Sequence, residues 1–180
     1  MSDALALPRE IRCVLVPVGD LRLLLPNATV AEVITRSAPE PVANAPAWLL
    51  GRISWRGWRV PLVSFAELAG AGEGDAELSV RVAVLKALGG DSKLPFIAVL
   101  TQGFPRLMTL NAELIIPTHD GSTLPPGVRA HVLVRDDVAM IPDLEWIESQ
   151  LLDLLDDAGL NDVPDSADVA PAQESPSPTG

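Results

Sequence analysis

The chain has 180 residues, 48% hydrophobic and 21% charged, with a net charge of −11 and a single cysteine. That length supports one substantial core and is short for two independent ones, and a lone Cys13 excludes an intrachain disulfide framework and suits a reducing compartment. Residues 1–142 hold all 13 basic residues against 14 acids, a balance of −1, while the other 10 acids lie in 143–180 without a base. A near-neutral body with an acidic end excludes the basic surface that nucleic acid or an anionic membrane requires.

The opening residues, MSDALALPREIR, place Asp3, Pro8 and Glu10 where a signal peptide needs positive charge and an unbroken apolar stretch. No apolar run approaches the roughly 18 residues of a membrane span. These features predict a cytoplasmic protein without membrane insertion. Residues 1–9 read as an N-terminal extension.

Ile11–Val18 and Leu21–Leu25 are apolar runs parted by Gly19-Asp20, a two-residue hairpin signal. Pro26–Thr29 breaks the ladder. Asn27 or Thr29 then caps a predicted short helix through Ile34, with Val30, Val33 and Ile34 on one side and Glu32 on the other. Pro39, Pro41 and Pro46 form an extended connector. It leads to Ala45–Leu68, which holds Trp48, Trp55 and Trp58 interleaved with Arg52, Arg56 and Arg59. This stretch reads as strand, Arg56-Gly57 bend, strand, with Gly51 interrupting the first strand and Pro61 the second.

The glycine-acid loop at 70–77 divides the chain into an N-terminal and a central half. Leu78–Leu88 alternates as a strand, Gly89–Ser92 turns, and Phe96–Thr101 and Arg106–Leu110 are further strands. Asn111–Pro117 continues or turns, and His119–Gly127 is a turn-rich loop. Ala130–Val134 and Val138–Ile141 flank Arg135–Asp137 as another hairpin. From Pro142 the period lengthens: Leu144, Ile147, Leu151, Leu154 and Leu155 form the apolar stripe of a helix of about fourteen residues, with Asp143, Glu145, Glu148 and Asp153 on the polar side. Gly159 closes it. Residues 159–180, acidic and proline-rich, read as a disordered tail. Short strands at spacings of roughly 8–12 residues predict a mostly β domain, a barrel or a sandwich.

The residues do not assemble a catalytic, metal or cofactor site. His119 and His131 lie in a loop and at a strand start, without a second metal ligand nearby. Cys13 reads as a buried small hydrophobe. Gly70–Gly74 is followed by Asp75 and Glu77 and no lysine, so it would repel phosphate. Asp136-Asp137 and Asp156-Asp157 face no partner that would raise a carboxylate pKa. Asp120-Gly121-Ser122 lacks the strand context and second copy of an aspartic-protease loop. Trp48 and Trp146 are expected in or beside the core. Trp55 and Trp58 flank the bend beside three arginines, and alternation is not expected to bury both. Aromatic and arginine side chains concentrate at interfaces, so the hairpin is a candidate contact surface.

Taken in order, Val30-Ala31-Glu32-Val33-Ile34, Leu50-Gly51-Arg52-Ile53, Arg56-Gly57, Val60-Pro61-Leu62-Val63-Ser64-Phe65 and Ile141-Pro142-Asp143-Leu144 resemble the CheW-like adaptor domain of bacterial chemotaxis. The similarity covers roughly residues 10–157, and the domain is drawn at 10–158. It implies two small five-stranded SH3-like β-barrels side by side, with the C-terminal amphipathic helix against the first. It further implies a non-enzymatic scaffold joining a methyl-accepting chemoreceptor to a CheA-like histidine kinase. By that resemblance Glu32 pairs with Arg56, and Glu32, Trp55, Arg56, Gly57, Trp58, Val60 and Pro61 meet partners. Ser54-Trp55 replaces the common Asn-Leu before Arg-Gly, and the Trp-Arg-Gly version is similar to the ChpC-type adaptors of type IV pilus and twitching control. A small-ligand-binding β-barrel, or a hydrolase with an unrecognised site, is the alternative.

Overall fold

A computed structural model describes residues 10–72, 80–118 and 120–160. The N-terminal extension, most of the glycine-acid loop, His119 and the tail beyond Leu160 lie outside the described residues.

Strands β1 (Ile11–Val18) and β2 (Leu21–Pro26) form the expected hairpin, with Gly19 at φ 60 in its turn. A 3₁₀ turn, Asn27–Thr29, leads into β3 (Val30–Thr35), a strand in place of the helix that the sequence predicts. Apolar residues at 30, 33 and 34 fit a helix face, but Val30, Val33 and Ile34 are also β-branched, and pairing with a neighbouring strand decides the outcome. Strands β4 (Leu49–Trp55) and β5 (Trp58–Val63) make the tryptophan hairpin, followed by the short helix α1 (Phe65–Leu68). Then come β6 (Val80–Lys86), β7 (Phe96–Gln102), β8 (Arg106–Leu110), a 3₁₀ turn at Ala112–Leu114, and β9 (Ile115–Pro117). Strands β10 (Val128–Val134) and β11 (Asp137–Pro142) form a further hairpin, and α2 (Leu144–Asp157) is the last element among the described residues.

The strands make two sheets, ordered β8-β1-β2-β11-β10-β9 and β3-β6-β7-β5-β4. The expected pair of SH3-like barrels with a C-terminal helix is therefore the architecture. The first sheet gains a sixth, three-residue strand where the chain bends after β8. The two orders match position by position. In each, two antiparallel steps are followed by one parallel step, β2 with β11 or β7 with β5, and then an antiparallel hairpin. The halves on either side of the glycine-acid loop exchange strands: β1 and β2 serve the first barrel and β3–β5 the second, while β6 and β7 serve the second and β8–β11 the first. That loop divides the chain without dividing the barrels, because pairing of β8 with β1 sets Leu110 opposite Ile11.

Three apolar clusters result from strand alternation. Cys13, Leu15, Leu24, Leu110, Val132, Val134 and Ala139 fill the first barrel. Ile53, Trp55, Val60, Leu62, Val82, Val84 and Ala98 fill the second. The opposite faces, including Val14, Val16, Leu23, Val63, Leu85 and Val99, meet between the barrels. Burial on both faces explains why β1 and β2 are nearly continuous apolar runs.

Helix α2 inserts Leu144, Ile147, Leu151 and Leu155 into this shared cluster, so it packs on the junction of the barrels and not against the first barrel alone. Burying those four side chains contributes on the order of 8 kcal/mol. Asp143 caps the helix, its carboxylate accepting from the Trp146 N–H at 3.1 Å. Trp48 is half-buried beside the shared cluster, whereas Trp146, expected in or beside the core, stands on the exposed side of α2. Glu148 reverses its expectation too: it is only 5% exposed and accepts the backbone N–H groups of Leu88 and Gly89, each at 2.6 Å. The turn after β6 lies over the helix at that point, and its unpaired amides draw the carboxylate inward.

Candidate functional site

The β4–β5 hairpin is closed by two residues at positive φ, Arg56 at 46 and Gly57 at 80, the backbone of a type I′ turn. Glycine takes that conformation freely, whereas arginine does so at a cost of about 1 kcal/mol. The two-residue turn sets Trp55 directly opposite Trp58, continuing the pairs Ile53 with Val60 and Gly51 with Leu62. Directly opposed residues share one face, so alternation turns both tryptophans inward together. As expected, the hairpin does not bury both outright, although both face inward. Trp55 is 9% exposed and Trp58 half-buried. Both meet Phe96 edge-on, with ring centroids 4.9 Å and 5.9 Å away, and together they plug the end of the second barrel.

Glu32 sits on β3, at the opposite end of the sheet from β4. Its Oε2 accepts the Trp55 indole N–H at 2.8 Å and lies 3.1 Å from Arg56 Nη2. The guanidinium of Arg56 stands 5.1 Å from the centroid of the Trp55 ring. One carboxylate thus bridges the seam where the barrel's sheet closes on itself, holding a largely buried tryptophan and an arginine whose side chain is 69% exposed. The Glu32–Arg56 pair implied by the resemblance is present, reached from a strand and not from a helix.

The remaining residues expected to meet partners differ in what they present. Val60 faces the interior of the second barrel, and Pro61 is buried opposite Arg52 just ahead of the parallel pairing of Leu62 with Ala98. With Trp55, these three offer no surface to a partner. Glu32, Arg56, Gly57 and the outer edge of Trp58 do. Behind the tip, Arg59 pairs with Glu40 on the proline connector. Glu40 also exchanges both backbone hydrogen bonds with Arg52, each 2.8 Å. Gly51 makes this approach possible, since a Cβ there would stand 2.4 Å from the Glu40 carbonyl oxygen. Arg52 is buried, and its Nη1 donates to the Leu160 carbonyl at 3.4 Å.

A second surface carries no signal in the sequence. Phe104 and Leu107, where the chain passes from β7 to β8, are 66% and 62% exposed. The Arg81 guanidinium stacks 4.0 Å from the Phe104 ring centroid, and Arg106 and Arg22 both pair with Asp137 beside it. Phe104 sits between Gly103 and Pro105, and only the pairing of β8 as an edge strand shows that this ridge stays uncovered.

Among the described residues, no three His, Cys, Asp or Glu side chains cluster as metal ligands. Cys13 is buried, and desolvation raises its thiol pKa, which lowers its thiolate fraction and reactivity. Asp120 makes a turn, its carboxylate accepting the Ser122 N–H at 2.9 Å. A groove of about 390 Å³ lies between Ala43, Asn44, Leu154, Asp157 and Ala158. No helix among the described residues is long and apolar enough to cross a membrane.

The family model described as the CheW-like domain matches residues 12–150. The chain belongs to the CheW-like domain family. Its fold is similar to the crystal structure of the scaffolding protein TtCheW from Thermoanaerobacter tengcongensis, at a TM-score of 0.64 and 16% identity, covering 80% of this chain and 91% of that one. No curated protein matches by sequence. The CheW-like match takes in both barrels and reaches into α2, so it encompasses the Glu32 seam, the hairpin and the Phe104 ridge alike.

Proposed function

We propose that this CheW-like protein is a non-enzymatic, cytoplasmic adaptor of a chemosensory system, coupling a methyl-accepting chemoreceptor to a CheA-like histidine kinase. The observation that carries the reading is an arginine held outward at the tip of a rigid hairpin, in a family-matched domain whose two barrels are filled by their own side chains. An adaptor needs fixed, separated contact surfaces and no reacting groups. The Arg56 tip and the Phe104–Leu107 ridge supply two such surfaces, one on each barrel's margin. The Trp-Arg-Gly-Trp turn favours a pilus-associated, twitching-control system over a flagellar one. Barrel interiors filled by their own side chains speak against the small-ligand alternative.

The test is capture of the kinase regulatory domain and of the receptor's cytoplasmic tip by wild-type and variant chains. Arg56→Glu is expected to weaken one of these interactions at least about tenfold, equivalent to about 1.4 kcal/mol. Phe104→Ala is expected to weaken the other. Unchanged binding to both partners by both variants would overturn the assignment.

A further inference from the structure

The strand alternation that fills the first barrel also builds its mouth. Cys13, Leu15 and Leu24 point inward from β1 and β2, and Ala139 from β11. The same parity aims Pro17, the Arg22 opposite it, Asp137 and the Arg106 opposite Leu15 at the barrel's open end. There Leu15, Pro17, Arg22, Phe104 and Arg106 line a cleft of about 180 Å³. Small-molecule pockets run from about 300 to 1,000 Å³, so this cleft has room for a side chain and not for a metabolite.

Its rim is cationic. Arg22 and Arg106 both pair with Asp137, Arg22 at 3.2 Å, and their side chains stay 50% and 61% exposed while sharing that one carboxylate. Arg81, from β6 of the second barrel, lies on the Phe104 ring, and its buried Nε has no hydrogen-bond partner among the described residues. With Asp20, Arg135 and Asp136 of the two flanking turns, the patch has four arginines and three aspartates, a net +1 on a chain of −11. Ion pairs this exposed are weak and exchange readily, so an incoming carboxylate can take the place of Asp137 on either arginine. Phe104 and Leu107 add an uncovered apolar surface beside the rim.

We propose that the mouth of the first barrel holds an acidic side chain of a partner protein. Its carboxylate bonds Arg22 and Arg106 while a neighbouring apolar side chain packs on Phe104 and Leu107. The apolar ridge beside the rim favours a protein segment over a nucleic acid, whose charges follow one another along its backbone. The proposal rests on the adaptor reading above only for which protein supplies that segment, and the recognition chemistry is tested without that protein.

The probe is a synthetic peptide of leucine, glutamate and serine, titrated into the full-length chain and followed by NMR. Its counterpart has glutamine in place of every glutamate. The glutamate peptide is expected to shift the side-chain Nε–Hε signals of Arg22, Arg81 and Arg106 and the backbone amides of Phe104, Arg106 and Leu107. It should bind at least about tenfold tighter than the glutamine peptide, because charge-assisted hydrogen bonds are the stronger kind. Arg22→Gln/Arg106→Gln should abolish that preference. Raising salt from about 20 mM to about 500 mM should largely remove it in the wild-type chain, which keeps the test independent of how the variant folds. No binding of the glutamate peptide, equal affinity for the two peptides, shifts centred on Arg56 or Arg129, or an equal response to inorganic phosphate would overturn the proposal. A positive titration beside a failed capture of kinase and receptor would support it and count against the adaptor reading instead.

Discussion

Glu32 and Trp55 join the two end strands of the second barrel's sheet by a single hydrogen bond, 2.8 Å from the indole N–H to Oε2. The same oxygen holds Arg56, but the two interactions differ in worth. Trp55 is largely buried, so its donor has few alternatives, whereas Arg56 is open to water. Glu32→Ala is therefore expected to cost about 1–3 kcal/mol of stability, the penalty for leaving a buried donor unpaired. Arg56→Ala is expected to cost under about 1 kcal/mol. Glu32→Gln, which keeps an acceptor for the indole, should restore most of the loss. Urea unfolding of the three variants checks this order, and equal losses for Glu32→Ala and Arg56→Ala would refute it.

The hairpin's two glycines separate conformation from contact. Gly57 has φ 80 with open space around it, so Gly57→Ala is expected to cost about 1 kcal/mol through backbone strain alone. Gly51 has φ 138, and its added Cβ would collide with the Glu40 carbonyl. Gly51→Ala must break the Glu40–Arg52 bridge or strain the register shift between Leu49 and Gly51 in β4, for a loss of about 3 kcal/mol or more. Thermal unfolding of the pair measures the difference; a Gly51→Ala protein as stable as Gly57→Ala would refute the crowding.

Glu148 ties the turn after β6 to α2 from a distance of about sixty residues in sequence. Its removal leaves the Leu88 and Gly89 amides without their acceptors, so Glu148→Ala is expected to destabilise the fold by about 3 kcal/mol. Glu148→Gln offers one oxygen for two donors and should recover only part. Amide hydrogen exchange gives a local check: Leu88 and Gly89 should lose protection in both variants, and unchanged exchange at both would show that the turn does not depend on the carboxylate.

Much of the strand inventory is legible because local signals are strong. Gly19-Asp20 and Arg56-Gly57 are two-residue turns between apolar runs, Arg135–Asp137 reads as a turn that the structure shortens by one residue because Asp137 opens β11, and α2 carries a clear 3.6-residue period with acids at its start. Residues 30–34 are not, because a five-residue segment with three β-branched residues satisfies both periods, and only the pairing of β3 with β6 selects the strand. The facing of Trp55 and Trp58 is readable in principle from the two-residue turn that opposes them. Their packing needs Phe96, about forty residues on, as the surface they meet. Glu148 falls on the polar stripe by period, and nothing in the helix announces that a distant turn supplies its partners. The Phe104 ridge depends on β8 being an edge, a property of sheet order and not of sequence.

The exchange of strands between the halves of the chain has a consequence for synthesis and cleavage. A nascent chain that has emerged only as far as Gly72 holds the β1–β2 hairpin of one barrel and three strands of the other, and neither can close until β6 to β11 arrive. The protein must therefore fold largely after release of its last strands, through contacts distant in sequence and correspondingly slow to form. By the same logic, a proteolytic nick between Gly72 and Val80 would leave two pieces that clasp one another in both barrels. Each fragment would be unfolded alone, and mixing the two would rebuild the whole.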